Sequence, residues 1–204
     1  VVSMLLAKQG VDVNQAADGG WTPLCIASSK GHAEVVSMLL AKQGVDVNQA
    51  RDDGFTPLCI ASSKGHAEVV SMLLAKPGVD VNKADEEGYT PLYMASEEGR
   101  AEVVSILLAK QGVDVNRARD DGATPLFIAS QQGHAEVVSI LLARHGVDVN
   151  QASDNGTTPL YIASEKGHAE VVSILLAKQG VNVNQTMNDG ATPLYAASLQ
   201  GHTE

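Results

Sequence analysis

The sequence predicts an all-α repeat solenoid built from stacked helix-turn-helix units, each followed by a protruding β-hairpin-like loop. The first observation is that Thr-Pro-Leu recurs every 34 positions, starting at Thr22, Thr56, Thr90, Thr124, Thr158 and Thr192. The second is that Val-Asn recurs with the same period, its asparagines being Asn14, Asn48, Asn82, Asn116, Asn150 and Asn184. The third is the apolar pattern within one period, which fits two short helices. Because so small a unit cannot bury a core alone, neighbouring units must stack.

The first helix of each unit is predicted from the residues at its two ends, with the stretch from Phe55 to Gly88 as the example. Thr56 suits the N-cap position and Pro57 the first helical position, where the missing N–H costs nothing. A short apolar face follows, made of Leu58, Ile60 and Ala61. Gly65 is typical of a helix end.

A second helix is predicted to begin near Ala67, where Glu68 interacts favourably with the positive end of the helix dipole. Its apolar residues recur at i, i+1, i+4 and i+5 and make one buried stripe of Val69, Val70, Leu73 and Leu74. Lys76 lies near the C-terminus of this helix. The alternating segment 79–82 predicts a short extended arm, and the polar segment 83–88 predicts a turn.

These units predict one continuous array over residues 1–204 and no division into separate domains. The length corresponds to six of these periods, cut out of phase so that half a unit stands at each end. The terminal units of such arrays normally have polar outer faces, and neither half unit here has the sequence of such a cap. We therefore expect a fragment of a longer array. We also expect head-to-tail self-stacking through the uncapped ends, since these ends are complementary to each other.

Four motifs of the second unit recur in the other units with few changes. They are Asp-Gly-Phe-Thr-Pro-Leu at 53–58, Ala-Ser-Ser-Lys-Gly-His at 61–66, Glu-Val-Val-Ser-Met-Leu-Leu at 68–74 and Val-Asp-Val-Asn at 79–82. Together they resemble the ankyrin repeat, unit by unit and over essentially the whole chain. The resemblance implies a right-handed stack of L-shaped units whose loops and first helices form a concave face. In most members of that family this face binds other proteins, so the resemblance implies a protein partner.

Three departures from the ankyrin pattern bear on the loops. The usual ankyrin period is shorter by one position, because an extra residue stands here before Asp-Val-Asn. The histidine that normally follows Thr-Pro-Leu helps to tie adjacent loops, and it is replaced by Cys25, Cys59, Tyr93, Phe127, Tyr161 and Tyr195. The loops must therefore be tied in another way. The acidic residue usual three positions before the loop glycine occurs only as Asp85.

All seven aromatic residues occupy two registers of the repeat. Trp21, Phe55 and Tyr89 precede Thr-Pro, whereas the other four follow Pro-Leu. We predict that the first three form an aromatic ladder on the concave face and bind the partner, because aromatic side chains are common anchors of interfaces. The two registers vary together, so their side chains are expected to share space. The alternative is that the rings merely fill the crease between loop and helix.

Further candidate partner-binding residues are those that vary between units while the framework stays constant. At the loop tips they are Arg51, Asp85, Glu86, Glu87, Arg119 and Met187, and in the turns between helices they are Lys30, Lys64 and Glu98. The third unit is the most acidic and is predicted to steer a basic partner to the middle of the array. The alternative is a solvated surface that drifted freely after duplication.

No catalytic residue, metal site or cofactor is predicted. Five of the six histidines occupy one Gly-His register, in which Arg100 stands in the third unit, and such repetition indicates a structural role. Cys25 and Cys59, the only cysteines, fall in adjacent units at a separation too large for a disulfide. We therefore expect free thiols and a reducing compartment, cytoplasmic or otherwise intracellular.

Charge and hydropathy argue against two classes of partner. The formal net charge of −10 argues against nucleic acid, because phosphate binding needs a surplus of Lys and Arg. The longest apolar stretches, such as 35–41, are far shorter than the roughly 20 residues that span a bilayer, so no membrane insertion is expected. The predicted function is a non-enzymatic protein–protein interaction scaffold. The alternatives are an architectural or elastic solenoid, or a consensus-like engineered array, with no single dedicated partner.

Overall fold

The computed structural model describes residues 1–203, and within them helices alternate as first and second members of repeated pairs. The first helices are α2 (Pro23–Ser29), α4 (Pro57–Lys64), α6 (Pro91–Glu97), α8 (Pro125–Gln132), α10 (Pro159–Lys166) and α12 (Pro193–Gln200). The second helices are α1 (Val2–Leu6), α3 (Ala33–Leu40), α5 (Ala67–Ala75), α7 (Ala101–Ala109), α9 (Ala135–Ala143) and α11 (Ala169–Ala177). A 3-10 turn spans Asp18–Gly20 in the first loop. First helices pack on first helices and second helices on second helices, so the predicted all-α repeat solenoid is confirmed.

The first helix of each unit begins at Thr-Pro, as predicted. The Thr56 hydroxyl accepts a hydrogen bond from Cys59 N at 3.2 Å, and Pro57 is the first residue of α4. The same cap recurs in all of the first helices. Gly65 ends α4, also as predicted. Each cap fixes the junction of loop and helix, which is where the candidate rings stand.

The second helices supply much of the core. In α5 the buried residues are Val69, Val70, Leu73 and Leu74, the four members of the predicted stripe. With leucines of the first helices and valines of the loops, these stripes form a single buried cluster that extends from Val13 to Leu175. Because the cluster is continuous, each unit shares its core with its neighbours, as expected of an array.

The segment 79–82, predicted as an extended arm, forms turns instead of a strand. Asp80 Oδ1 accepts a hydrogen bond from Asn82 N at 3.0 Å, which closes a tight Asx turn. At the tip of the second loop, Arg51 N donates to Phe55 O at 3.0 Å and makes a hairpin-like bend. Within residues 1–203 the one isolated β-bridge lies in the first loop. The arms offer too few facing backbone groups for a strand ladder, so side chains complete the hydrogen bonding.

An asparagine ladder joins neighbouring loops, a name we use for Asn14, Asn48, Asn82, Asn116 and Asn150. Asn82 Nδ2 donates to Gly112 O at 2.7 Å, and Asn82 Oδ1 accepts from Asp114 N at 2.8 Å. The other four asparagines make the same two bonds to the unit that follows. Each of them therefore holds the backbone of the next loop in place.

Further hydrogen bonds replace the missing loop histidine. Backbone N–H groups donate to carbonyls of the preceding loop at 3.0–3.2 Å, the donors being Asp52, Asp120, Asp154 and Asn188. At the other end of the units, His66 Nε2 lies 3.1 Å from Ser29 O at the C-terminal end of the preceding first helix, and three more histidines repeat this contact. In the third unit, Arg100 Nε donates to Ser63 O at 3.1 Å instead. The Gly-His register therefore has the structural role that its repetition predicts.

Replacing Asn82 by alanine is expected to lower the free energy of unfolding by about 1 to 3 kcal/mol, because two hydrogen bonds of roughly 0.5–1.5 kcal/mol each are lost. The matched control is Asn184→Ala, since the Asn184 side chain makes no hydrogen bond within the described residues. The control should change stability by less than about 0.5 kcal/mol. Urea unfolding followed by circular dichroism measures both, and equal losses would contradict the role of the ladder.

Candidate functional site

Grooves open where the loop tips meet the first helices, and we call this surface the inner face. One groove is lined by Ala17, Asp18, Trp21 and Ile26. The central groove, of about 280 Å³, is lined by Arg51, Asp53, Phe55, Cys59, Ile60, Ser63, Lys64 and Met94. A further groove, of about 320 Å³, is lined by Tyr93, Arg119, Asp121, Ala123, Phe127, Gln131, Ser153, Asp154 and Asn155. Loops and first helices thus contribute side chains to one surface.

Trp21 lies on the inner face beneath the guanidinium group of Arg51. The Arg51 Cζ atom is 4.0 Å from the centroid of the indole ring, which makes a cation–π contact. Arg51 Nη2 also lies 2.6 Å from Asp53 Oδ2, in the same loop. Two of the predicted partner-binding residues therefore contact each other, and the charge of one is paired within its own loop.

The predicted aromatic ladder is assembled only in part. Phe55 and Tyr89 meet edge to face, with their ring centroids 6.1 Å apart. Tyr89 meets Tyr93 edge to face at 5.3 Å, so the two aromatic registers share space as expected. Trp21 takes part in neither pair. Within the described residues the row of rings therefore runs Phe55, Tyr89, Tyr93, and the tryptophan stands apart under its arginine.

Arg119 is held against two of these rings. Its Cζ atom lies 4.4 Å from the Tyr89 centroid and 5.6 Å from the Tyr93 centroid. Arg119 Nη1 donates to Tyr93 Oη at 3.3 Å, and Nη2 lies 3.4 Å from Asp121 Oδ2. Burial raises the pKa of Tyr93 to about 12, although the hydrogen bond from Arg119 opposes the rise. The phenol therefore stays neutral, and the guanidinium is fixed by its ring, hydroxyl and carboxylate contacts.

The two arginines share a spacing that our prediction missed. Each stands 30 positions after the ring that it covers, Arg51 after Trp21 and Arg119 after Tyr89. We predicted both as partner-binding residues, and 24% of each side-chain surface is exposed. Stacking brings the tip of one loop over the ring of the preceding loop, so both guanidinium groups are engaged within the chain. The spacing of 30 positions between ring and arginine was the feature of the sequence that could have predicted both contacts.

The acidic third unit uses one carboxylate to close its loop. Asp85 Oδ1 accepts hydrogen bonds from Glu87 N at 3.0 Å and from Tyr89 N at 2.8 Å. Glu86 and Glu87 are exposed at the loop tip. Burial, followed by repulsion from neighbouring Glu98, raises the pKa of Glu97 at the C-terminal end of α6. Negative charge therefore stands at both ends of this unit's inner face.

The remaining predicted residues are spread along the array. Lys64 is exposed and lines the central groove. Glu98 Oε2 lies 3.6 Å from Arg100 Nη2 in an exposed ion pair. Lys30 is exposed beside an apolar groove near α1, and Met187 is half-buried in the sixth loop. The structure therefore gathers most candidates in the second to fourth units and leaves Lys30 and Met187 towards the two ends.

A second buried cluster lies behind the row of rings. It contains Tyr93, Ala123, Phe127, Ile128 and Ile162, and Tyr89 packs against it. Tyr93 is fully buried and Phe127 is 8% exposed, so these rings fill the crease between loop and helix. Ala123 makes room where other units carry a ring, which agrees with the predicted sharing of space between the two registers.

The same caps, loop bonds and helix pairs recur along the whole chain, and a comparison with protein families agrees with this repetition. A family model described as "Ankyrin repeats (3 copies)" matches residues 1–85, 77–153 and 141–204. The chain belongs to the ankyrin-repeat family. Ankyrin repeats are in general protein–protein interaction modules and are typically non-enzymatic. A comparison with curated proteins gives no match.

Both cysteines of this ankyrin array take the place of the family's loop histidine. They are free, as predicted, and both are buried. Cys59 Sγ lies 3.5 Å from Lys83 O and 3.9 Å from Tyr89 O, so the thiol faces the next loop much as the histidine would. Burial raises the pKa of Cys59 to about 11, and burial also raises the pKa of Cys25. These thiols act as packing groups of the ankyrin units.

The free energy of unfolding of the ankyrin array is expected to fall between about pH 9 and pH 11 through Cys59. In this window the unfolded thiol has lost its proton while the folded thiol keeps it, so alkaline pH favours the unfolded chain. Cys59→Ala, which lacks the thiol, should show a shallower decline. Guanidinium unfolding across this pH range measures both proteins, and parallel profiles would be evidence against the raised pKa.

The remaining polar chemistry of the ankyrin array is that of turns and loops. Within residues 1–203 no group of three or more His, Cys, Asp or Glu side chains is placed to hold a metal ion. In the same part of the chain, every helix is too short or too polar to cross a membrane.

Proposed function

We propose that this chain is a non-enzymatic protein–protein interaction scaffold that binds a protein partner on its inner face. The observation that carries the proposal is the central groove, in which the half-buried ring of Phe55 stands on the surface where the units differ most. Framework residues such as the capping threonines repeat in every unit, so packing accounts for them. Rings set in a groove with charged residues at the rim are typical of interface anchors.

The proposal involves no cofactor and no nucleic acid. Its setting is a reducing, intracellular compartment, which the two free thiols support. The net charge of −10 favours protein surfaces with a basic character over polyanions.

A comparative pull-down tests the inner face. The triple variant Trp21→Ala, Phe55→Ala, Tyr89→Ala removes the three predicted rings. The control variant Met38→Ala, Leu176→Ala, Val183→Ala removes three exposed apolar side chains outside the inner face. Circular dichroism first establishes that both variants are folded. Quantitative mass spectrometry then compares the proteins that each one retains from a cell extract.

We expect specific partners to be retained by the parent chain and the control variant and lost from the ring variant. Truncating an interface anchor typically costs more than about 1 kcal/mol, so the loss expected for three rings exceeds about tenfold. Partners retained equally by all three proteins would place the binding surface elsewhere.

An architectural or elastic solenoid is the second candidate. The asparagine ladder and the continuous core favour it, because they repeat the same interunit bonds along the whole chain. Its test is single-molecule extension, in which a uniform array unfolds and refolds in equal steps. A chain that retains no specific partner but shows such steps would replace the scaffold proposal.

We further propose that copies of this chain associate head to tail. One end exposes Val1, Met4 and Leu5 around an apolar groove of about 430 Å³. The other end exposes Leu194, Tyr195 and Leu199. Such heterologous contacts generate open chains of copies. Sedimentation velocity should show a mass that rises with concentration and that Leu5→Glu with Leu199→Glu abolishes, whereas a strict monomer at high concentration would contradict the proposal.

A further inference from the structure

The central groove has an apolar floor with one uncovered ring. Phe55, Cys59, Ile60 and Met94 line this floor, and Ile60 is 6% exposed. Within the described residues no guanidinium lies over Phe55, whereas Trp21 and Tyr89 are each covered by one. This ring is therefore available to a side chain from outside the chain.

The sequence explains why Phe55 stays uncovered. The residue 30 positions later is Asp85, where the units with a covered ring carry arginine. Within its own loop, Asp85 Oδ1 accepts hydrogen bonds from Glu87 N at 3.0 Å and from Tyr89 N at 2.8 Å. The residue that stacking brings towards Phe55 is therefore negatively charged, whereas Trp21 and Tyr89 each receive an arginine.

Further carboxylates continue from the groove along the third unit. Met94 lies on the groove floor, and Glu97 and Glu98 follow it at i+3 and i+4, on the same side of α6 and the turn beyond it. Glu86, Glu87 and Glu97 form no ion pair within the described residues, and the pair of Glu98 with Arg100 is exposed and long at 3.6 Å. Exposed pairs of this kind neutralise little charge.

The pKa of Tyr89 is sensitive to the charges of these carboxylates. Burial is the main cause that raises the pKa of Tyr89, and Arg119 opposes it. Glu97, Glu87 and Asp85 raise the pKa further, so three carboxylates, from the loop and from the end of α6, act on one ring of the inner face. Arg51 and Lys64 line the groove on the side of the second unit, and the groove opens towards these carboxylates on the side of the third unit.

We infer that the central groove binds an extended basic peptide segment of a partner protein, with an apolar side chain on Phe55 and Met94 and Lys or Arg side chains beside Glu87, Glu97 and Glu98. This inference rests on the proposed function and names its partner class. An acidic segment is repelled at the same place. At this groove a second copy of this chain is disfavoured, because it would bring its own net charge of −10 to the carboxylates.

Selection from a phage-displayed library of short random peptides tests the inference. The parent chain of residues 1–204 is the target, and we expect enrichment of peptides that join an apolar residue to several Lys or Arg residues. The most enriched peptide, labelled with fluorescein, is then the probe for titrations at low and high salt. Its affinity should fall with salt, because exposed charge pairs are screened.

Two variants with the same change of charge locate the site. The first replaces Glu86, Glu87, Glu97 and Glu98 by glutamine. The control replaces Glu34, Glu68, Glu102 and Glu136 by glutamine, all of them exposed on second helices. We expect the first variant to bind the probe at least about tenfold more weakly and the control to change by less than about threefold. Phe55→Ala should also weaken binding by about tenfold.

Each outcome supports or overturns the inference. Enrichment of acidic or uncharged peptides overturns it, as does a basic probe that binds both glutamine variants alike. Uncharged peptides whose binding is lost in Phe55→Ala would overturn the basic partner and leave the scaffold proposal standing. The absence of any enriched peptide overturns the inference as well, while the pull-down of folded partners still decides the scaffold proposal.

Discussion

The largest loss of stability is expected from Leu108→Ala, at about 2 to 5 kcal/mol. Leu108 belongs to α7 in the middle of the array and is 6% exposed, with the second helices of both neighbouring units packed around α7. The substitution removes buried methyl groups and leaves a cavity that the surrounding helices fill only in part. Because the core is shared between units, the loss weakens two interunit contacts at once.

The chain contains a matched control for this substitution. Leu176 occupies the same register two units later, but it is 49% exposed. Leu176→Ala should therefore cost about 1 kcal/mol or less, since little apolar surface is returned to water. Urea unfolding of both variants, followed by circular dichroism, measures the difference. Equal losses of unfolding free energy in the two variants would mean that the position in the repeat, and not the burial of the leucine, decides the loss of stability.

A loss of about 2 to 3 kcal/mol is expected from Gly122→Ala in the fourth loop, as the sum of backbone strain and a broken hydrogen bond. Gly122 has φ +81°, where an L-residue costs roughly 1–2 kcal/mol. A Cβ atom there would also lie 2.9 Å from Asp154 N and from Ser153 Cα. The two loops must then move apart, which breaks the bond from Asp154 N to Asp121 O, now 3.0 Å long. That bond is worth about 1 kcal/mol.

Gly112→Ala separates the two causes. Gly112 has φ +88°, yet a Cβ atom at this position meets nothing within 4 Å. Its replacement should therefore cost only the backbone strain, about 1–2 kcal/mol. The two variants can be compared by urea unfolding and by hydrogen exchange of Asp154 N, which only Gly122→Ala should expose. A similar cost in both would show that contact between loops contributes nothing.

Much of the helical framework could be predicted because its signals are local and repeated. Thr56 and Pro57 define a helix start through the chemistry of their own side chains, and Gly65 defines an end. The stripe of α5 follows from the helical period alone. The prediction for segment 79–82 was wrong because alternation of apolar and polar residues also fits Asx turns, in which Asp80 closes the chain on itself.

The inner face was harder to predict, because its contacts join residues about 30 positions apart. The rings were recognised as candidates, but the covering of Trp21 by Arg51 was not. Nor was the covering of Tyr89 by Arg119. Such pairs become neighbours only when one unit stacks on the next, so they depend on the interunit geometry.

The sequence by itself determined the repeat, the helix pairs, the caps and the acidic character of the third unit. These features depend on residue type and on periodicity, and both can be read directly from the amino-acid sequence. The tertiary structure alone decided which variable side chains remain available to a partner. Stacking places Arg119 on Tyr89 and leaves Phe55 uncovered, because the side chain that the next loop brings towards each ring is arginine in one case and aspartate in the other.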